Sequence, residues 1–228
     1  MAAPPPTEDP SLYPNTELIF CNIDNIHIMR QSAAVFADAL SSQTSGSAGG
    51  FFAKMEESGW LRHVRLIIMA SALAAEKLHF EGASVLVHCS DGWDRTAQIC
   101  SVAQLILDPH FRTIEGLAIL IEKEWCAFGH KFQDRCGHGV DHSTLSDERS
   151  PVFLQFLDAV FQIVGQFPCA FEYTESLLLF LADHLHSCLF GKLWAVCLYV
   201  YIYVYSLSYA LCTSSKRRRR RYWSDYTV

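Results

Sequence analysis

One stretch in the middle of the chain, residues 83–95, constrains the fold more than any other. The run ASVLVH at 83–88 is short and almost wholly apolar, as expected for a buried parallel strand. It ends at Cys89, and CSDGWDR then leads into residues 95–108, whose apolar periodicity predicts a helix. A strand, a tight loop and a helix in this order predict an α/β fold. We expect a central parallel sheet flanked by helices, with the loop at the C-terminal end of a strand.

The rest of the chain predicts mainly helices. ELIFCNI at 17–23 is the second predicted strand, and helices are predicted at 25–42, 54–80, 113–129, 151–168 and 173–190, with an interruption near Gly59. Residues 41–50 and 130–150 are polar or rich in Gly and Ser, which predicts surface loops. Two strands make a barely stable sheet. We therefore expect strands that complete the domain to be missing on its N-terminal side.

The two ends of the chain differ from its middle. Residues 1–16 are Pro-rich and polar, which predicts a disordered lead-in. The formal net charge is −6, and basic side chains are concentrated after residue 190, so residues 1–189 are strongly acidic. Such a charge excludes binding of nucleic acid through the overall charge of this part of the chain. Within the atypical tail, residues 192–228, the uncharged run 193–212 precedes the basic cluster KRRRRR at 216–221. This run fits a membrane segment with a basic flank, a β-strand of alternating Tyr and Val, or an unstructured alternative-exon tail.

The cysteines indicate a reduced, cytoplasmic protein. There are nine of them, an odd number at irregular spacings, and the N-terminus does not have the pattern of a signal peptide. One group, Cys126, His130, Cys136 and His138, has the residue types of a zinc site. Its spacing matches no zinc module, so packing and hydrogen bonding are the preferred interpretation, and we expect neither a metal nor a cofactor.

The loop that begins at Cys89 has the layout of a phosphate-binding site. Backbone N–H groups of a tight loop and of the following helix converge on one cup, which favours an anion. Arg95 can grip two oxygens of that anion, and the same field lowers the pKa of Cys89. The thiolate can then displace an alcohol from phosphorus and form a phosphocysteine. Ser90 can offer its hydroxyl, and Gly92 permits a backbone geometry that a side chain would obstruct.

A family resemblance extends this interpretation. HCSDGWDRT resembles the signature loop of the myotubularin family, and FCNIDNIHIMRQS (20–32), GWLRHV (59–64) and residues 112–139, 149–173 and 184–191 are also similar to it. The likeness covers residues 17–191, so it implies the C-terminal part of a myotubularin-type, cysteine-dependent phosphatase domain. The implied activity is removal of the 3-phosphate from phosphatidylinositol 3-phosphate and phosphatidylinositol 3,5-bisphosphate.

The resemblance also implies roles for single residues. Cys89 would be the nucleophile, Arg95 the phosphate clamp and Asp94 the general acid that protonates the leaving inositol oxygen. The implied substrate-binding residues are Ser90, Asp91, Gly92, Trp93, Lys131, Arg135 and Asn25. Competing interpretations exist for three kinds of position. Asp91 also suits a turn or a helix cap, Asn25 a strand end or a helix cap, and the two basic positions solvated surface charge.

The resemblance implies partners and a location as well. We expect phosphoinositide lipids in membranes as substrates, a homodimer or a heterodimer with another myotubularin-like protein, no nucleic acid, and a cytoplasmic protein peripheral on endosomal membranes. The alternative to an enzyme is a non-catalytic partner or adaptor of a full-length myotubularin, because the domain is truncated. A protein tyrosine phosphatase remains a third interpretation.

Overall fold

A computed structural model of the chain describes residues 10–41, 48–138 and 147–187. Helices dominate these ranges. The α-helices are α1 (Ile26–Ser41), α2 (Ala48–Ser58), α3 (Trp60–His79), α4 (Arg95–Leu107), α5 (Ile114–Ile121), α6 (Phe132–Cys136), α7 (Val152–Gln166) and α8 (Glu175–Ser187). Short 3-10 turns occur at Pro10–Leu12, Pro109–Arg112 and Pro168–Ala170. The predicted interruption near Gly59 is confirmed, because this glycine adopts a left-handed backbone with φ 65° between α2 and α3.

The prediction of an α/β fold with a central sheet is wrong for the part of the chain described. Residues 17–23 and 83–88 have no regular secondary structure, Asn22 has a left-handed backbone with φ 54°, and no backbone hydrogen bond joins the two segments. A β-strand exists only where a neighbouring strand accepts and donates backbone hydrogen bonds. Both segments therefore remain irregular, and their apolar side chains are largely exposed, Leu86 to 87%.

The core is made by helices packing on helices. Helix α3 packs against α4 and α7, and its inward face carries Trp60, Val64, Ile67 and Ala74 at helical spacing. Some polar groups inside this core are paired, whereas His63 Nδ1 and Ser32 Oγ are buried without a hydrogen-bond partner. Gln98 of α4 donates to the backbone oxygen of Val152 and to the side-chain oxygen of Gln155 on α7. This bonding fixes α4, and with it the loop that precedes α4, relative to α7.

A π-helical turn, Glu122–Ala127, continues α5 and places one large aromatic at the centre. Trp125 is fully buried, donates its indole N–H to Ser101 of α4 and contacts the rings of Phe153 and Phe156 on α7. The chain leaves this turn at His130, whose ring lies edge-on to Trp125 at 4.8 Å between centroids. The anchored turn thus sets the position of the short segment that carries His130 and α6.

The tail predictions fall outside the range that the structure covers. Residues 1–9, the candidate membrane segment 193–212 and the basic cluster 216–221 all lie beyond the described residues. Among the helices that are described, none combines the length and the apolar composition needed to cross a bilayer.

Candidate active site

The loop from Cys89 to Asp94 connects residues 83–88 to the first residue of α4, Arg95. Gly92 has φ +87°, a left-handed backbone that residues with a side chain rarely adopt. This turn brings the Gly92 N–H to 3.2 Å from Sγ of Cys89, to which it donates. A backbone N–H of the loop thus points to the cysteine sulfur, although the described residues form no sheet.

The environment of Cys89 favours its thiolate. Burial of the half-buried thiol raises its pKa, but the Thr96 hydroxyl and the backbone N–H groups of Gly92, Asp91 and Thr96 lower it more, so the pKa lies below the usual thiol value. The Thr96 hydroxyl has no partner in hydrogen-bonding geometry, so the Gly92 N–H is the firmest of these contacts. A thiolate held by backbone donors is a prepared nucleophile.

Arg95 reaches across the mouth of the loop. Its Nη2 donates to the Ser90 hydroxyl at 2.9 Å, and its Nη1 donates to the backbone oxygen of Ile23 at 3.2 Å. The second contact joins Arg95 to residues 17–23, although no backbone hydrogen bonds join that segment to residues 83–88. Arg95 is thus bonded to Ser90 of the loop, and its role as the phosphate clamp stays a prediction.

Asp94, the last residue of the loop, is buried. Its Oδ2 accepts from Nη2 of Arg135 at 2.8 Å, and Nε of Arg135 lies 3.2 Å from both carboxylate oxygens. Nδ1 of His130 is 3.1 Å from Oδ1 of Asp94 and 2.8 Å from the backbone oxygen of Trp93. The carboxylate occupies the N-cap position of α4 but makes no cap hydrogen bond, because Arg135 and His130 hold it instead.

These contacts favour the ionised form of Asp94. Burial raises the pKa of this carboxyl, but hydrogen bonds and positive charge from His130 and Arg135 outweigh burial and hold the pKa below its usual range. For Arg135, burial lowers the pKa, and the contacts with Asp94 and Glu148 more than reverse that effect. A general acid must carry a proton. In this arrangement Asp94 is a carboxylate at neutral pH, so its role as an acid stays a prediction.

Arg135 is buried and engaged by protein oxygens on both sides. Besides Asp94, it donates through Nη1 to the carboxylate and the backbone oxygen of Glu148, at 2.8 and 3.0 Å. A guanidinium held in this way joins α6 to Asp94, the last residue of the loop before α4, and to Glu148. Direct contact between Arg135 and a substrate phosphate stays a prediction.

Three further residues predicted to bind substrate, Lys131, Asp91 and Asn25, have different surroundings. Lys131 is exposed, and its ammonium lies over the Trp93 ring at 4.3 Å from the centroid, which leaves the charge next to the loop. Asp91 is exposed at the loop rim. Asn25 accepts from the backbone N–H groups of His27 and Ile28 at 3.0 and 3.2 Å, so it serves as the helix cap of α1. Substrate contacts of these three residues stay predictions.

Two residues of the site were not selected from the sequence. For His130 the sequence predicts only hydrogen bonding or packing, with zinc binding as the alternative, and Glu148 falls in a predicted polar loop. Their role depends on burial and on pairing between distant segments, which the sequence does not show. In the residues that the structure covers, no three His, Cys, Asp or Glu side chains are grouped as metal ligands.

Comparison with known proteins identifies the family. Residues 2–197 match the family described as myotubularin-like phosphatase domain. Human phosphatidylinositol-3,5-bisphosphate 3-phosphatase MTMR8 is 49% identical over 190 residues, which are 83% of this chain and 26% of that protein. Human phosphatidylinositol-3-phosphate phosphatase MTMR7 is 48% identical over 185 residues (81% and 27%), and myotubularin of Xenopus laevis is 46% identical over 184 residues (81% and 30%). The chain thus spans less than a third of the length of these relatives, and it belongs to the myotubularin-like phosphatase domain family.

Proposed function

We propose that this chain carries the catalytic loop of a phosphoinositide 3-phosphatase that acts through a phosphocysteine. The observation that carries the proposal is the contact at Cys89, where the Gly92 N–H donates to Sγ at 3.2 Å in a loop that continues directly into Arg95. Arg95 is bonded to Ser90 on the same loop and is placed to balance the charge of a phosphate.

The substrate class follows from the relatives. Their names give phosphatidylinositol 3,5-bisphosphate and phosphatidylinositol 3-phosphate as substrates. We propose the 3-phosphate of these two lipids as the target, and endosomal membranes as the place where the chain meets them. The exposed ammonium of Lys131 beside Trp93 supports binding of a further phosphate on the same headgroup.

The chemistry would proceed in two displacements. The Cys89 thiolate attacks phosphorus and a sulfur–phosphorus bond forms, while the bond from phosphorus to the inositol oxygen breaks. Water then attacks the phosphocysteine, so that phosphate leaves and the thiolate is restored. Arg95 and the backbone N–H groups of the loop stabilise the equatorial oxygens in both steps.

Asp94 is proposed as the donor of the proton that the leaving inositol oxygen needs. Arg135 and His130 keep the pKa of this carboxyl low in the absence of substrate. A phosphate dianion placed in the loop raises the pKa of a neighbouring carboxyl, because two negative charges then repel each other. Substrate itself would thus oppose the influence of Arg135 and His130 and favour the protonated carboxyl.

The first experiment measures phosphate release from phosphatidylinositol 3-phosphate in vesicles by the purified chain. Release is expected from the native chain and from Cys169→Ser, which removes an exposed cysteine elsewhere. No release is expected from Cys89→Ser. Equal release by the Cys89 variant, or none by the native chain, would refute the enzyme. Faster turnover of a phosphotyrosine peptide than of the lipid would assign a protein phosphatase instead.

The second experiment tests the acid. Asp94→Asn should slow release from the lipid by about 10²–10⁴-fold, the usual contribution of acid catalysis. With p-nitrophenyl phosphate, whose leaving group needs no proton, the loss should be far smaller. An equal loss with both substrates would indicate that Asp94 only holds the loop in shape.

A second function, that of a non-catalytic partner, is favoured by one observation. The irregular segments 17–23 and 83–88 expose apolar side chains and have no strand partner within the described residues. Such segments can pair with a strand of another chain. A stable complex between this chain and a longer member of the family, without lipid turnover by this chain, would support the partner function. Size-exclusion chromatography of this chain, alone and mixed with the longer member, measures the complex and also detects pairing with a second copy of this chain.

A further inference from the structure

A cavity of about 380 Å³ lies behind the catalytic loop, between α1, α6, α7 and α8. Three arginines and a histidine line it: Arg30, Arg135, Arg149 and His130. The other lining residues are Ala33, Cys136, Ser150, Pro151, Phe153, Leu154 and Leu185, and none of them is acidic. The lining is therefore cationic, although the formal net charge of the whole chain is −6.

Two of these cationic side chains have carboxylates next to them. Arg30 lies 3.5 Å from the exposed carboxylate of Asp147, and Arg135 is held by Asp94 and Glu148. Arg149 differs, since no ion pair joins it to an acid among the described residues. Its Nη2 makes only a 3.5 Å contact with the backbone oxygen of Gly137, and its Nε is buried without a partner. Arg149 is thus a charged donor with bonding capacity to spare.

A second unsatisfied polar atom lies on the histidine. The side chain of His130 is only 1% exposed, and its Nδ1 is used by Asp94 and by the Trp93 backbone oxygen. Its Nε2 is buried and has no hydrogen-bond partner. Buried polar atoms are satisfied in most proteins, so an unpartnered nitrogen in the wall of a cavity indicates a ligand or a water. Because Nδ1 faces two oxygens, it carries the ring hydrogen, and Nε2 of the neutral ring is an acceptor to which the P–OH of a phosphate can donate.

We infer that this cavity is a second anion site, distinct from the catalytic loop, and that it binds a phosphate group through Arg149 and His130. Its volume suits a small molecule or a lipid headgroup rather than a peptide. Guanidinium groups match the several oxygens of a phosphate. Cys89, Ser90 and Arg95 do not line the cavity, whereas Arg135 and His130 contact both the cavity and Asp94. A bound phosphate would therefore lie one side chain away from Asp94.

The test measures binding of inorganic phosphate by calorimetry in an Arg95→Gln background, which disables the catalytic loop. Residual binding is expected in that background. Adding Arg149→Gln should weaken it by about tenfold, the value of one charged hydrogen bond. Arg65→Gln is the matched control, because this exposed arginine on α3 lies outside the cavity. It should leave the phosphate affinity unchanged.

A second variant keeps the test decisive if the loss of Arg149 unfolds the chain. Ala33→Leu fills part of the cavity and retains every cation, so it should also weaken phosphate binding. The inference is overturned if the Arg95→Gln background binds no phosphate, if the Arg149 and Ala33 variants both bind like their parent, or if Arg65→Gln loses as much affinity as Arg149→Gln. The measurement involves no turnover, so an inactive enzyme does not affect it.

Two competitors then identify the source of the phosphate group. Phosphatidylcholine vesicles containing phosphatidic acid are compared with soluble inositol phosphate, each added against inorganic phosphate. Displacement by the vesicles supports a lipid headgroup, and displacement by the soluble compound alone supports a free phosphate. If neither competitor displaces inorganic phosphate, the assignment to a phosphate-bearing ligand is wrong.

Discussion

The pKa values of Cys89 and Asp94 are both lowered, which suits the proposed role of Cys89 but not that of Asp94. Backbone and hydroxyl donors lower the pKa of the thiol, which agrees with a nucleophile. Arg135 and His130 lower the pKa of the carboxyl, which opposes a general acid in the substrate-free state. At the scale of residues, the nucleophile is therefore prepared by the fold alone, whereas the acid depends on the charge that substrate brings.

The first residue-scale prediction concerns the thiol. Iodoacetamide should modify Cys89 at a lower pH than Cys100, because burial of the Cys100 thiol raises its pKa to about 11 and only the thiolate reacts. Mass spectrometry of digests after short exposure across neutral and alkaline pH measures both sites. Cys89→Ser identifies the peptide. Modification of Cys100 before Cys89 would contradict the prediction.

The second concerns the buried ion pair. Arg135→Met leaves the Asp94 carboxylate buried with only His130, and it should lower the free energy of unfolding at neutral pH by about 3–5 kcal/mol. The folded pKa of Asp94 is depressed, so the pair's contribution exists above the unfolded carboxyl pKa of about 3.9 and is lost as pH falls through the folded value. The difference in unfolding free energy between Arg135→Met and the native chain should therefore become smaller at acid pH.

Urea unfolding at several pH values measures this difference. Arg65→Met is the control, since it removes an exposed arginine from α3 and should change the unfolding free energy by less than about 0.5 kcal/mol. A penalty for Arg135→Met that is no larger than that of the control, or that stays constant down to acid pH, would show that the pair does not stabilise the fold.

At the scale of elements, two glycines in helices have contrasting surroundings. A Cβ on Gly116 of α5 would overlap the backbone of His110 and Phe111 in the preceding 3-10 turn, whereas a Cβ on Gly165 of α7 would meet nothing. Close packing of α5 on that turn therefore depends on the missing side chain at Gly116. Near the end of α7, the glycine has no comparable packing role.

The corresponding prediction is a pair of alanine substitutions. Gly116→Ala should destabilise the chain by about 1–3 kcal/mol, because the overlap is with backbone that cannot turn away. Gly165→Ala should stabilise it by about 0.5–1 kcal/mol, because alanine loses less conformational freedom in a helix. Thermal melting of the two variants beside the native chain measures both signs. Equal shifts in one direction would contradict the packing argument.

The elements also differ in how far the sequence alone predicts them. Helices α3, α4 and α7 follow from local apolar periodicity, and the Cys89 loop follows from a contiguous motif. The strands at 17–23 and 83–88 were predicted from composition, but pairing is a property of two segments, and the described chain provides no ladder. His130 and Glu148 escaped prediction for a similar reason, since their role depends on contacts with Asp94 and Arg135 that only the fold creates.

At the scale of the whole molecule, a well-packed helical body adjoins two unpaired irregular segments. The body buries Trp125 and Phe156 completely, and hydrogen bonds join Gln98 to Gln155 and Trp125 to Ser101 inside it. The segment 83–88 lies immediately before the catalytic cysteine, so whatever pairs with it also acts on the loop. Order of the loop therefore depends both on the body, through Asp94 and Arg135, and on what contacts residues 83–88.

The last prediction tests the exposed segment at this scale. Unpaired apolar strands promote association, and a lysine on them opposes it. Leu86→Lys should reduce concentration-dependent self-association of the purified chain, measured by sedimentation velocity. Leu179→Lys is the matched control: Leu179 is 61% exposed, but it lies on α8, where the backbone is already paired within the helix. The control should associate like the native chain. If both lysine variants reduced association equally, general hydrophobicity, and not the open backbone of residues 83–88, would drive it.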